Sequence, residues 1–96
     1  ERDRGLTMTD VASTTPVTVR FFAAARGVAG TDTGELVLRP GATIADALRE
    51  LSGQSDELAL MLSKCSYLCD GIAVRDPNAS LRPNQTLDVL PPFAGG

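Results

Sequence analysis

Thr43-Ile-Ala-Asp-Ala-Leu-Arg-Glu-Leu51 is the stretch on which the fold turns. Ile44, Ala47, Leu48 and Leu51 follow the i, i+3, i+4, i+7 spacing of a helix with one buried face. Thr43 reads as its N-cap. Asp46, three residues on, supplies an acidic partner in the first turn, a weaker form of the capping box. Pro40-Gly41 sets a turn ahead of this helix, and Gly53 is its expected stop. Ser55 caps a shorter second helix, whose inward face is Leu58, Met61 and Leu62, extended by Cys65.

Extended segments lie on both sides of this helical middle. Val17-Thr-Val-Arg-Phe21 alternates apolar and polar residues with period two, so Val17, Val19 and Phe21 share one face. Thr18, Arg20 and Phe22 share the other. Ala23-Ala-Ala-Arg26 forms a short helical turn, and Gly27 and Gly30 flank a loop through Gly34. Glu35-Leu-Val-Leu-Arg39 is a second strand, which pairs with the first as an antiparallel hairpin. Beyond the helices, Tyr67-Leu-Cys69 is extended, Asp70-Gly71 is a tight turn, and Ile72-Ala-Val74 follows. Thr86-Leu-Asp-Val-Leu90 is the last strand, with Leu87 and Val89 on one face and Asp88 and Leu90 on the other.

The helical middle is the only long crossover available. The first and last strands are therefore expected to lie parallel and adjacent at the sheet centre. That is an α+β fold of the β-grasp type: a mixed sheet of four to five strands with a helix packed on one face. Residues 1–15 have no apolar periodicity and are expected to form a disordered tail. Met8 within them is a candidate start, which would leave residues 1–7 as an addition. The domain is expected over residues 16–90, followed by a flexible tail over 91–96.

Composition narrows the function classes. The 96 residues suffice for one small domain. Nine Lys and Arg against twelve Asp and Glu give a net charge of −3, which is no footprint for nucleic acid or an anionic membrane. The absence of histidine removes a His-based triad, a His general base and most catalytic zinc sites. The longest apolar runs fall far short of the roughly 18 residues a membrane span needs. The expectation is a soluble, cytoplasmic protein with no metal site.

Few side chains carry chemistry. Cys65 and Cys69 cannot complete a tetrahedral zinc site in one chain, and neither sits where thiolates are activated. They read as small apolar core residues, with a redox or sulfur-relay role as the lesser alternative. Asp56 and Glu57 suit a helix start. No glycine pattern forms a phosphate loop. The C-terminal segment Leu90-Pro-Pro-Phe-Ala-Gly-Gly96 differs. Pro91 and Pro92 cannot extend a sheet and hold the chain extended. Ala94, Gly95 and Gly96 can thread a narrow channel because they have almost nothing lateral to clash. The reactive group such a segment delivers is the carboxylate of Gly96. Strand parity places Phe22 and Leu90 outward beside its root, as a partner-binding patch.

Val19-Arg-Phe-Phe-Ala-Ala-Ala-Arg26, Gly30, Pro40-Gly-Ala-Thr-Ile-Ala-Asp-Ala-Leu48 and Leu87-Asp-Val-Leu-Pro-Pro-Phe-Ala-Gly-Gly96 together resemble the MoaD-like branch of the ubiquitin-like sulfur carriers, the small subunits of molybdopterin synthases. The resemblance runs from about Val17 to Gly96. Asp70-Gly71 stands where the family often has Asn-Gly, Leu90 where an aromatic is common, and Cys69 is not a family hallmark. The resemblance implies that an adenylating sulfur-transfer enzyme uses ATP and magnesium to activate Gly96, which then becomes a thiocarboxylate. It implies insertion of Pro91, Pro92, Phe93, Ala94 and Gly95 into the synthase large subunit, in a heterotetramer. There the sulfur passes to a pyranopterin precursor. Phe22, Arg26 and Leu90 match positions that face the partner enzymes, with Val74 a looser match. On this reading the chain binds no permanent cofactor and is a sulfur-donating co-substrate, not a catalyst. Rival readings are a carrier for thiazole or cysteine synthesis, a ubiquitin-like protein modifier linked through Gly96, and a β-grasp interaction module with an inert end.

Overall fold

The computed structural model describes residues 14–92. Its elements, in chain order, are β1 (Thr15–Phe21), α1 (Ala24–Ala29), β2 (Thr33–Leu38), α2 (Ile44–Ser52), α3 (Asp56–Leu62), β3 (Ser66–Cys69), β4 (Ile72–Ala73) and β5 (Gln85–Leu90). The five strands form one mixed sheet in the order β2-β1-β5-β3-β4. This is the expected β-grasp architecture.

β1 is central because both its edges find partners. It runs antiparallel to β2, with Val17 opposite Leu36 and Val19 opposite Gly34. It runs parallel to β5, with Val19 beside Leu87 and Phe21 beside Val89. The period-two pattern is realised in burial: Thr15, Val17, Val19 and Phe21 are buried, and Arg20 is exposed. Thr15 was expected in the tail. It is instead 2% exposed and paired with Leu38, because the hairpin register extends two residues past Val17. Pro91, expected as tail, is likewise buried beyond the end of β5.

α2 and α3 form as their caps dictate. Thr43 Oγ1 accepts the Asp46 N–H at 3.2 Å, and the Asp46 carboxylate accepts the Thr43 N–H at 2.9 Å, a complete capping box. Arg39 and Arg49 add ion pairs to the same carboxylate at 3.2 and 2.8 Å. The Thr43 N–H first, then Arg49 and Arg39, hold Asp46 well below the usual carboxylate range. Ser55 Oγ caps α3 by accepting the Leu58 N–H at 3.0 Å. The stretch expected as a loop from Gly27 is a helix through Ala29, closed by Gly30 in the left-handed region at φ 79°. At the Asp70-Gly71 turn both residues have positive φ, 51° and 83°, as a two-residue hairpin of primed type requires.

All three helices lie against one sheet face. Two adjoining clusters make the core, one around Val17, Ile44, Ala47, Leu81 and Leu87, the other around Val19, Phe21, Leu51, Leu58, Leu62 and Val89. Tyr67 packs against both clusters, and its hydroxyl donates to the Leu62 carbonyl at the end of α3. Burial, reinforced by charge on nearby Cys65, pushes the Tyr67 phenol up to about 12.

Two measurements check this packing. Phe21→Ala should destabilise by about 3–5 kcal/mol and Phe22→Ala by clearly less, since Phe21 is 3% exposed and Phe22 only half-buried. Denaturant unfolding of both variants reads the order directly. Tyr67 is the single tyrosine in a chain without tryptophan, so its ultraviolet titration is clean. In the native state it should ionise near pH 12, and in denaturant near the ordinary value of about 10. The sign follows from the raised value. The contribution to stability is complete below about pH 10 and is lost as pH climbs toward 12. An equal midpoint in both states would contradict the burial of this ring.

Candidate functional site

The sheet face opposite the helices carries the alternate residues of each strand, and at its centre β1 and β5 converge. Their parallel register puts Arg20 beside Asp88. Arg20 Nε and Nη2 donate to the two Asp88 oxygens at 2.7 and 3.0 Å. The guanidinium also lies 5.3 Å from the centroid of the Phe22 ring, within cation–π range. The bond to Asp88, with its charge, holds Arg20 above its ordinary value. Asp88 is buried despite lying on the helix-free face. Leu68 stands across from it on β3.

Phe22 continues the ladder one residue past β1, its N–H donating to the Val89 carbonyl at 3.2 Å. This sets Phe22 beside Leu90, and both are half-buried. The two outward residues read from strand parity therefore meet at one end of the sheet. Pro91 follows, buried, and then Pro92, exposed.

The backbone turns sharply after Phe22. Ala23 has φ 50° and ψ −129°, and the Ala25 N–H donates to the Phe22 carbonyl at 3.0 Å. That is the geometry of a type II′ turn, whose first central position favours glycine. Arg26 lies on α1 one turn further on, its N–H bonded to the Ala23 carbonyl. Its side chain pairs with Asp32 at 3.0 Å, both residues exposed, an interaction worth little to stability.

Val74 stands apart. It follows β4 at the far edge of the sheet, donates to the Tyr67 carbonyl at 2.9 Å, and packs against the core cluster that contains Leu87. Phe93, Ala94, Gly95 and Gly96 lie outside the described residues. Cys65 and Cys69 are free thiols packed against the core, and burial raises the pKa of each. Neither is poised as a nucleophile. Among the described residues no cluster of His, Cys, Asp and Glu could hold a metal ion, and no helix is long and apolar enough to cross a membrane. A groove of about 360 Å³ between β2 and α2 is lined by Val37, Ala42, Asp46 and Arg49, and Asp46 there is already paired with Arg39 and Arg49.

Sequence reasoning placed Arg20 and Asp88 on the polar face without pairing them. The signal was present: each lies one residue before an inward-facing residue, Phe21 and Val89. Only the parallel register makes those positions equivalent.

Comparison with known proteins bears on this geometry. The ThiS family model matches residues 19–96. No curated protein matches the chain. The HVO 2177 protein of Haloferax volcanii is 32% identical, with a TM-score of 0.76, over 88% of this chain and 89% of that one. SAMP1, a small archaeal modifier protein of Haloferax volcanii, is 25% identical, with a TM-score of 0.75, over 84% of this chain and 99% of that one. In the complex of subunits 1 and 2 of molybdopterin-converting factor from Helicobacter pylori, the matching chain is 22% identical, with a TM-score of 0.62. That match covers 85% of this chain and all of the other.

The strained turn yields a prediction. Ala23→Gly should stabilise the fold by about 1 kcal/mol, because relief of the left-handed alanine outweighs the extra entropy of the unfolded glycine. A lower denaturation midpoint for this variant would contradict the turn as described.

Proposed function

Because the chain belongs to the ThiS family and has the fold of the MoaD-like ubiquitin-like sulfur carriers, we propose that it is the sulfur-carrying small subunit of a molybdopterin synthase. The observation that carries this reading is the extent of the family match. It spans residues 19–96 and so takes in β5 and Gly96. Partner binding is supported by the Helicobacter pylori relative, which was solved as a complex of the two converting-factor subunits.

The proposed chemistry begins with a free carboxylate, a poor electrophile. A separate adenylating enzyme joins the Gly96 carboxylate to AMP from magnesium-bound ATP and releases pyrophosphate. A persulfide displaces AMP and forms an acyl disulfide. A thiol then cleaves that S–S bond, leaving a thiocarboxylate on Gly96 and a new disulfide on the donor side. In the large subunit the tail of Pro91, Pro92, Phe93, Ala94 and Gly95 delivers this sulfur to the pyranopterin precursor, and Gly96 returns as a carboxylate. The chain's own contribution is delivery and docking. Phe22 and Leu90 give the partner an apolar foothold beside the tail root, with Arg26 at its margin. Val74, on the far side of the sheet, is the outlying candidate contact. We place the activity in the cytoplasm.

A second reading is favoured by the likeness to SAMP1. In it the same activated Gly96 is transferred to a lysine of another protein. Sulfur transfer to a thiazole or cysteine precursor differs only in the acceptor.

Intact-mass spectrometry separates these readings. Incubation with ATP, magnesium, the adenylating enzyme of the same organism and a sulfur donor should add about 16 Da, the exchange of one oxygen for sulfur. Addition of the large subunit and the pyranopterin precursor should return the original mass with a dithiolene product. Conjugates on lysines of other proteins, without that product, would favour the modifier. A chain lacking Gly96 should gain nothing while unfolding at the same temperature as the intact protein. A constant mass for the intact chain would overturn every carrier reading.

A further inference from the structure

Asp88 presents an unusual arrangement for a sheet face with no helix over it. Its side chain is 7% exposed and bonded to Arg20 on β1, and the register sets Leu68 of β3 opposite it on the other side. Arg20 keeps 51% exposure, although it is fixed at both ends by the Asp88 oxygens and the Phe22 ring. A guanidinium has five N–H donors. One on Nε and one on Nη2 serve Asp88. The outward edge of the guanidinium keeps the remainder, with the Phe22 ring beside it.

We propose that the Arg20–Asp88 pair is the specificity determinant of this face. It selects a partner loop that brings a neutral carbonyl to the outward edge of Arg20 inside a frame of apolar side chains. The inference rests on the partner-docking role proposed above and names the chemistry that role requires.

The argument is electrostatic. A lone arginine at the centre of an interface would have to be stripped of water as an uncompensated charge, which is costly. Asp88 removes that obstacle in advance, because the pair is neutral as a unit before any partner arrives. The pair still excludes three kinds of surface. A partner carboxylate brought to Arg20 also approaches Asp88. A partner cation meets the guanidinium. A wholly apolar surface leaves the outward N–H groups without acceptors, which costs each of them its hydration. A main-chain or amide carbonyl meets none of these penalties. The Phe22 ring and Leu90 supply the apolar rim. Asp88 acts as a positioning residue, since it contacts the partner only through Arg20.

The test measures affinity by calorimetry between the full chain and the molybdopterin synthase large subunit of the same organism. Arg20→Lys keeps the charge and loses the fork, and should weaken binding by at least about tenfold. The double variant Arg20→Met with Asp88→Leu replaces the pair by apolar groups and should keep or raise the melting temperature. It should nevertheless bind at least about tenfold more weakly, because the donors that the partner carbonyl needs are gone. The ratio of wild-type to double-variant affinity should change little with added salt, as a neutral pair requires, since both proteins keep Arg26. Binding by the folded double variant within about twofold of wild type would overturn the inference and leave the docking role intact. So would a ratio of wild-type to double-variant affinity that falls steeply with added salt, which signals a charged partner group at Arg20. Failure of the wild-type chain to bind the large subunit would overturn the docking role itself, and this inference with it.

Discussion

Two strands from opposite ends of the described chain lie side by side and point the same way. A parallel pair cannot be closed by a tight turn, so everything between Phe21 and Gln85 has to carry the chain back to its starting end. β2 uses the free edge of β1, and β3 with β4 uses the free edge of β5. The helices cover one face because the crossover must pass over it. Residues 77–81 then close the circuit by serving α2: the Pro77 and Ala79 carbonyls accept the Ala45 and Ile44 N–H groups at 2.8 and 3.1 Å. The turn that feeds β5 thus satisfies donors at the helix start that the crossover created.

Much of this is legible in the sequence. Alternation in 17–21 marked the inward residues of β1, and the 3.6-residue period from Ile44 to Leu51 marked the helix that bridges the parallel strands. Those signals are strong because burial enforces them residue by residue. The extent of α1 was not legible. Its sequence Ala-Ala-Arg-Gly-Val-Ala contains a glycine that favours loops, and no side chain caps its start. Tertiary contact with α3 and β1 outweighs that weak local preference. Thr15 was missed for a related reason, because a threonine beside a proline reads as polar linker until a register buries it.

At the candidate site the apolar members were readable and the charged ones were not. Phe22 and Leu90 follow from parity alone. Arg20 and Asp88 each look like an ordinary solvent-facing residue, and their meeting depends on the relative stagger of two strands far apart in sequence. Stagger is set by how side chains interlock across the core, which no local pattern encodes. Val74 differs from both: it is the looser match to the family pattern, and its half-buried side chain packs against the core cluster that contains Leu87 while it follows the edge strand β4.

β5 has a further consequence because neither of its edges is free. It is bonded to β1 on one side and to β3 on the other, and it leads straight into Pro91 and Pro92. A pull applied at Pro92 in the direction of β5 would act along the strand axis. Tension in that direction loads both ladders in shear, so many bonds must yield together, whereas a strand at the margin such as β4 would peel bond by bond. Unravelling the domain from this end therefore requires both ladders of β5 to fail at once.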